Sequence, residues 1–228
     1  MVAWLLICVP LHYTWKLFGA RSKWPSRFLG GIATIAGVKV QVLGQRARGG
    51  VFLLPNHVSW IDVPALAGVT GTAFVAHSGL AGVPLLRWLC EMNDTVFVAR
   101  HDRGSVHEQV EQVRAAIRDN GALAIFPEGT TSDGTGLLPF KSSLLSALDP
   151  PPEGIPIQPV LLDYGPNTSA IAWVGNEPGV ANFRRILGRS EPIGLTIHFL
   201  PPLTGPALGN RKTMAGAARE AILTALRR

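Results

Sequence analysis

The chain alternates short apolar runs with segments whose apolar residues recur three and four apart. Val51–Leu54, Ala73–Ala76, Thr95–Ala99 and Ala122–Phe126 have the length of buried strands. Helical segments separate several of them, which favours strands over fragments of core helix. Val38-Lys39-Val40-Gln41-Val42 alternates instead and predicts a strand ending at Gly44, with one face in water. Ile157–Tyr164, Ser169–Val174 and Leu195–Leu200 are further strand candidates, and Pro159 within the first suggests an edge or a bend. The best-defined helix runs from Ser105 to Asn120. There Ser105 and Glu108 form a capping box, Val106, Val110, Val113 and Ile117 share a stripe, and Gly121 supplies the stop. A closing helix, Lys212–Leu226, carries Ala218, Ile222 and Leu226 on one side. Strands alternating with helices predict an α/β fold. No repeat or long linker divides the chain, and the proline run in Asp149–Gly154 reads as a stiff connection inside one domain.

Composition narrows the function classes. With 228 residues the chain can bury a full core. It is 47% hydrophobic and only 16% charged, with a net charge of +6. A basic, apolar chain suits an anionic membrane surface or nucleic acid. Its arginines are scattered beside apolar stretches and form no dense basic runs, so membrane lipids are the expected partner and nucleic acid is not. Cys8 and Cys90 stand in apolar surroundings, without zinc spacing or a disulfide framework, and read as reduced core residues.

The N-terminus sharpens the membrane reading. Met1–Trp15 carries no charged side chain and includes Trp4, Leu5, Leu6, Ile7, Val9, Leu11 and Trp15. It falls short of the roughly 20 residues that span a bilayer and lacks the basic start of a signal peptide. Pro10 should break or kink a helix there. Lys16, Arg21, Lys23 and Arg27 follow, which suits an in-plane anchor at an anionic leaflet. A terminal helix packed on the core is the competing reading. Residues 1–36 are therefore expected to form an N-terminal membrane-associating helical segment ahead of a domain over residues 37–228.

Chemistry gathers at strand exits. Asn56-His57-Val58-Ser59-Trp60-Ile61-Asp62 follows the Val51–Leu54 run and precedes a helix start at Val63–Ala67. A carboxylate five residues after a histidine can hold one ring nitrogen as N–H and leave the other to take a proton from a hydroxyl. Phe126-Pro127-Glu128-Gly129-Thr130-Thr131-Ser132-Asp133-Gly134 leaves another buried strand and runs into Leu137–Lys141. Its carboxylate and glycines suit a loop that approaches a ligand closely. Thr135 and Gly136 stand where a phosphate-binding P-loop needs Lys and Ser/Thr, which excludes that motif. No Gly-x-Ser-x-Gly elbow marks a serine hydrolase. Thr95–Arg100 ends in a guanidinium, with Arg103 behind it; a phosphate or carboxylate clamp and a plain surface arginine are both open readings. Ser59 and Ser78 read as local caps or packing groups. His12, His101, His107 and His198 lack ligand-like spacing and read as surface or core histidines.

In this order and at these distances, the His-x4-Asp block, the strand ending at Arg100, the Phe-Pro-Glu-Gly-Thr block and Ile157-Gln158-Pro159-Val160 resemble the lysophosphatidic acid acyltransferase (PlsC-like) family of glycerolipid acyltransferases. The resemblance is close from about Val38 to Val160. It implies a single acyltransferase domain with a central mixed sheet flanked by helices. It also implies transfer of an acyl group from a coenzyme A or acyl-carrier-protein thioester to a lysolipid hydroxyl, on the cytoplasmic face of the membrane. By position His57 is implied as the base and Asp62 as its orienting partner. Arg100 is implied as a phosphate contact, and Glu128, Gly129, Thr130 and Pro159 as substrate-binding. A thioester is already activated, so no metal or further cofactor is called for. The family usually has arginine where Thr131 stands, and lysine is common where His77 stands. The Thr-Thr-Ser-Asp-Gly form and Ala172-Trp173-Val174-Gly175-Asn176-Glu177 resemble a branch with lyso-ornithine lipid acyltransferases. The expected acceptor is 1-acyl-sn-glycerol-3-phosphate, with lyso-ornithine lipid as the runner-up. A protein of another class, binding membranes without catalysis, is the remaining alternative.

Overall fold

The computed structural model describes residues 1–18, 22–77, 82, 84–98 and 106–227. Arg100, Arg103, His101, Ser78 and the Ser105–Glu108 capping box lie outside the described residues. Among the described residues, seven strands form one sheet: β1 (Val38–Gly44), β2 (Val51–Pro55), β3 (Ala73–His77), β4 (Val96–Val98), β5 (Ala122–Ala124), β6 (Ile157–Asp163) and β7 (Ile193–Phe199). Their order is β1-β7-β6-β2-β5-β3-β4. The β6–β7 pair is antiparallel and every other pair is parallel, so the sheet is mixed.

Position in the sheet explains each sequence pattern. β2 is central and every residue in it is buried, because helices cover both faces of an interior parallel strand. One face is packed by α2 (Trp24–Ile35), α3 (Asp62–Thr70), α6 (Thr168–Ile171) and α7 (Gly179–Leu187). The other is packed by α5 (Val106–Asn120), the 3-10 segment Ser142–Leu148 and α8 (Arg211–Leu226). Val113 and Ile117 of α5 are buried, and Gly121 ends that helix at φ 68°. The alternation of β1 has a different cause from the expected single wet face. β1 is an edge strand, and all of it beyond Val38 is exposed.

Two further expectations are corrected. Ser169–Val174 is no strand: α6 occupies its first half, and its apolar residues Ile171 and Ala172 are buried for packing on the sheet. Pro159 lies on no edge. β6 runs between β2 and β7, and the missing N–H of Pro159 falls where the β7 ladder ends. There Leu200 N–H donates to the Pro159 carbonyl, while the Leu200 carbonyl accepts from Nε2 of buried Gln158 at 2.8 Å. Gln158 also donates to the Gln45 carbonyl and accepts from Ala47 N–H, both at 2.9 Å. A side-chain amide thus supplies what the proline cannot.

The N-terminal residues form α1 (Val2–Leu17), one helix that runs through Pro10 without breaking. Its Cys8 and His12 are buried, and His12 Nδ1 lies 2.9 Å from Ser22 Oγ. Trp4 lies over Gly31 of α2 and donates from Nε1 to the Phe28 carbonyl. α2 then meets α3 backbone to backbone. A Cβ built on Gly68 would sit 2.6 Å from the Cα of Gly30, so the two helices touch only because both residues are glycine. Helix α4 (Pro84–Met92) completes the set. Gly68→Ala is therefore expected to push α2 off α3, costing about 1–3 kcal/mol as an overpacking change. A thermal melt several degrees below wild type is the expected result, with the far-UV spectrum retained.

Candidate active site

β2, β5 and β6 are adjacent and parallel, so their carboxyl ends open on one edge of the sheet. β2 delivers Asn56 and His57 there, β5 leads into Phe126–Gly129, and β6 leads into Tyr164. Asn56 locks the first and last of these together. Its buried side chain copies a strand pairing, with Nδ2 donating to the Leu162 carbonyl at 3.1 Å and Oδ1 accepting from Leu162 N–H at 2.7 Å.

Asp62, the first residue of α3, is fully buried beneath His57. Its Oδ2 accepts from His57 Nδ1 at 2.8 Å, from Val58 N–H at 2.7 Å and from Ser59 N–H at 2.9 Å. Its Oδ1 accepts from the Tyr164 hydroxyl at 2.5 Å. Because Asp62 occupies Nδ1, the imidazole keeps Nε2 as its proton-accepting nitrogen. The ring stacks on Phe126 with centroids 4.0 Å apart, and 18% of the side chain is open to solvent. That exposure is what a hydroxyl needs to reach it.

The backbone of His57 is held as firmly as its ring. Glu128, fully buried, accepts His57 N–H at 2.7 Å through Oε1 and Leu138 N–H at 2.9 Å through Oε2. Burial pushes the Glu128 carboxyl up from its ordinary range, and the two backbone donors oppose that. Ser132 closes the other side, donating from N–H at 2.8 Å and from Oγ at 3.1 Å to the His57 carbonyl. The Glu128 carboxylate therefore faces the backbone and braces the loop. Gly129 turns at φ 70° beside it, and Thr130 is exposed at the loop surface. Gly134 cannot carry a side chain: a Cβ there would meet Thr168 at 2.4 Å. Pro159 is buried inside β6, opposite Leu54 of β2. Ser59 donates its N–H to Asp62, but among the described residues its buried Oγ makes no capping bond.

Thr131 donates its hydroxyl to the Trp173 carbonyl at 2.5 Å, and Trp173 N–H donates to the Val58 carbonyl at 3.0 Å. Glu177 then ties this segment to α7. It accepts from Asn182 Nδ2 at 2.7 Å and from Arg185 at 2.8–2.9 Å, and these donors lower its carboxyl to about 2. The site brings His57 and Asp62 together as their spacing allowed, and Glu128 joins them through the His57 N–H, which its spacing did not reveal. It adds Asn56 and Tyr164, which the motifs did not single out. The one sequence signal for Tyr164 is a phenol ending a buried strand, since a buried tyrosine hydroxyl usually finds a partner.

Residues 37–163 match the family model described as Acyltransferase. The chain belongs to the acyltransferase family. This acyltransferase is 31% identical over 214 residues to the lyso-ornithine lipid O-acyltransferase of Rhizobium meliloti (strain 1021), covering 91% of this chain and 71% of that protein. It is 28% identical over 232 residues to the lyso-ornithine lipid O-acyltransferase of Brucella abortus (strain 2308), covering 94% and 86%. Its fold matches the crystal structure of the 1-acyl-sn-glycerophosphate (LPA) acyltransferase, PlsC, from Thermotoga maritima. That match has a TM-score of 0.62 and 20% identity over 97% of this chain and 94% of the other.

Glu128→Gln tests the brace. An amide has one acceptor oxygen, so His57 N–H or Leu138 N–H is left facing an NH2 group. The expected cost is about 1–3 kcal/mol of stability, read as a lower denaturant midpoint, with acyl transfer reduced because His57 moves with its backbone. Unchanged stability and rate would contradict the brace.

Proposed function

We propose that this enzyme acylates a lysolipid hydroxyl from an acyl-CoA or acyl-carrier-protein thioester, with His57 as the base. The observation that carries the chemistry is the engagement of His57 Nδ1 by Asp62, which leaves Nε2 for the proton of the attacking hydroxyl. As Nε2 takes that proton, the hydroxyl oxygen attacks the thioester carbonyl carbon and the carbonyl electron pair moves to oxygen. Collapse of the tetrahedral intermediate breaks the C–S bond, and the imidazolium returns its proton to the departing thiolate. The products are an ester and a thiol. Asp62 supports the positive ring between the two transfers.

For the acceptor, we propose lyso-ornithine lipid ahead of 1-acyl-sn-glycerol-3-phosphate, reversing the order expected from the motifs. The Brucella abortus and Rhizobium meliloti relatives, matched over 94% and 91% of this chain, carry that name. Thr131 also spends its hydroxyl on Trp173 where the family usually offers a phosphate-binding arginine. Exposed Lys141 favours the phosphate acceptor as the second reading, and Arg100 and Arg103, its other supports, lie outside the described residues. His57→Ala should lower turnover by roughly 10²–10⁴-fold, with Asp62→Asn also severely impaired. A lysolipid panel assayed with both donors, with products identified by mass, reads donor and acceptor together. Ester formed on lyso-ornithine lipid and none on lysophosphatidate is expected; the opposite pattern returns the assignment to the phosphate acceptor.

We propose further that α1 seats the enzyme on the cytoplasmic leaflet, where a soluble thioester and a lysolipid can reach one site. Among the described residues, no helix is long and apolar enough to cross a membrane. Yet α1 and the residue after it expose Leu6 at 68%, Leu17 at 85% and Phe18 at 85%. An exposed apolar face with Lys16 within it and Lys23 after it suits in-plane binding. The double variant Leu6→Glu/Leu17→Glu changes only exposed positions, so it should fold normally and fail to sediment with anionic vesicles. Sedimentation equal to wild type would refute the seat.

A further inference from the structure

We infer that Tyr164 is a positioning residue for acyl transfer: its phenol fixes the Asp62 carboxylate that in turn fixes His57. This rests on the reading of His57 as the base. The two oxygens of Asp62 have divided tasks. Oδ2 gathers His57 Nδ1 and the N–H groups of Val58 and Ser59. On Oδ1, the donor among the described residues is Tyr164. A carboxylate anchored through one oxygen can still rock about its Cβ–Cγ bond, carrying the imidazole with it. A second anchor on the opposite oxygen removes that freedom, and small misplacements of a base are costly in rate.

The phenol suits this task. Tyr164 is 2% exposed, and burial together with the adjacent Asp62 charge pushes it well above its ordinary pKa, so it remains an O–H donor. Its own place is rigid. It follows directly on β6, whose Leu162 is paired to Asn56, the residue before His57. Base and positioning group therefore hang from two adjacent strands clamped together within two residues of each. With its ring buried in the same core cluster as Val58, Ile61 and Leu162, Tyr164 acts through Asp62.

Tyr164→Phe keeps the ring and deletes the donor. We expect kcat to fall by about 10- to 100-fold, the range for losing a bond to a charged group, with KM for thioester and lysolipid within about twofold of wild type. In an Asp62→Asn background the same change should add less than about twofold, because the two residues work as one unit. An unchanged kcat would overturn the inference, as would an equal loss in both backgrounds or a raised KM at normal kcat. His57→Ala separates the two readings. If that variant keeps full activity, the base assignment fails. If it is inactive while Tyr164→Phe performs as wild type, only the present inference fails. Should Tyr164→Phe not fold, a label replaces it. The chain has 2 tyrosines, so 3-fluorotyrosine in a Tyr13→Phe protein reports on residue 164 alone. Its fluorine resonance should move when His57→Ala or Asp62→Asn is introduced, and a resonance unmoved by both overturns the inference.

Discussion

Everything at the mouth of this sheet is arranged around one buried carboxylate. Among the described residues, Asp62 accepts four hydrogen bonds from three kinds of donor: an imidazole, two backbone N–H groups and a phenol. A buried carboxylate without partners is very costly, and one with its lone pairs filled is a rigid fixture. Its donors lie on the loop after β2 and on the residue after β6. Satisfying Asp62 therefore draws those segments into a single geometry, and the same bonds that stabilise the group orient His57.

Side chains stand in for backbone at the places where the sheet would otherwise loosen. Asn56 continues the β2–β6 pairing past the end of the strand, and Gln158 fills the gap left by Pro159. Glu128 does the same for the loop after β5, satisfying two backbone N–H groups at once. Each is a polar residue buried almost completely and matched to backbone partners. The site is thereby built on the central strands, the least deformable part of an α/β fold, with its open side toward the loops.

The local parts of this arrangement were legible in the sequence, and the parts made by distant pairing were not. His57 and Asp62 are five residues apart, so their meeting needs only one turn. Glu128 stood out as a carboxylate at a glycine-bounded strand exit, but its spacing does not reveal that it faces the backbone of His57. Tyr164 lies 102 residues from Asp62, and its approach depends on β6 lying beside β2. No local pattern encodes that neighbour relation. Pro159 suggested an edge because a proline removes a ladder bond; the amide that compensates sits in the adjacent residue and works only after folding. Ser169–Val174 looked like a strand because burial selects apolar residues whatever the backbone does. The long helices were clearer, since α5 and α8 carry their apolar stripe over several turns.

The central claim is that Asp62 sets the tautomer of His57, with Nδ1 protonated and Nε2 open to accept a proton. Long-range nitrogen–proton correlation spectra of imidazole-labelled enzyme measure this directly, with His57 assigned by its loss in His57→Ala. At a pH where the ring is neutral, an N–H at Nδ1 and a pyridine-type nitrogen at Nε2 are expected, with a shift of that balance in Asp62→Asn. A wild-type His57 protonated at Nε2 in its neutral form would contradict it.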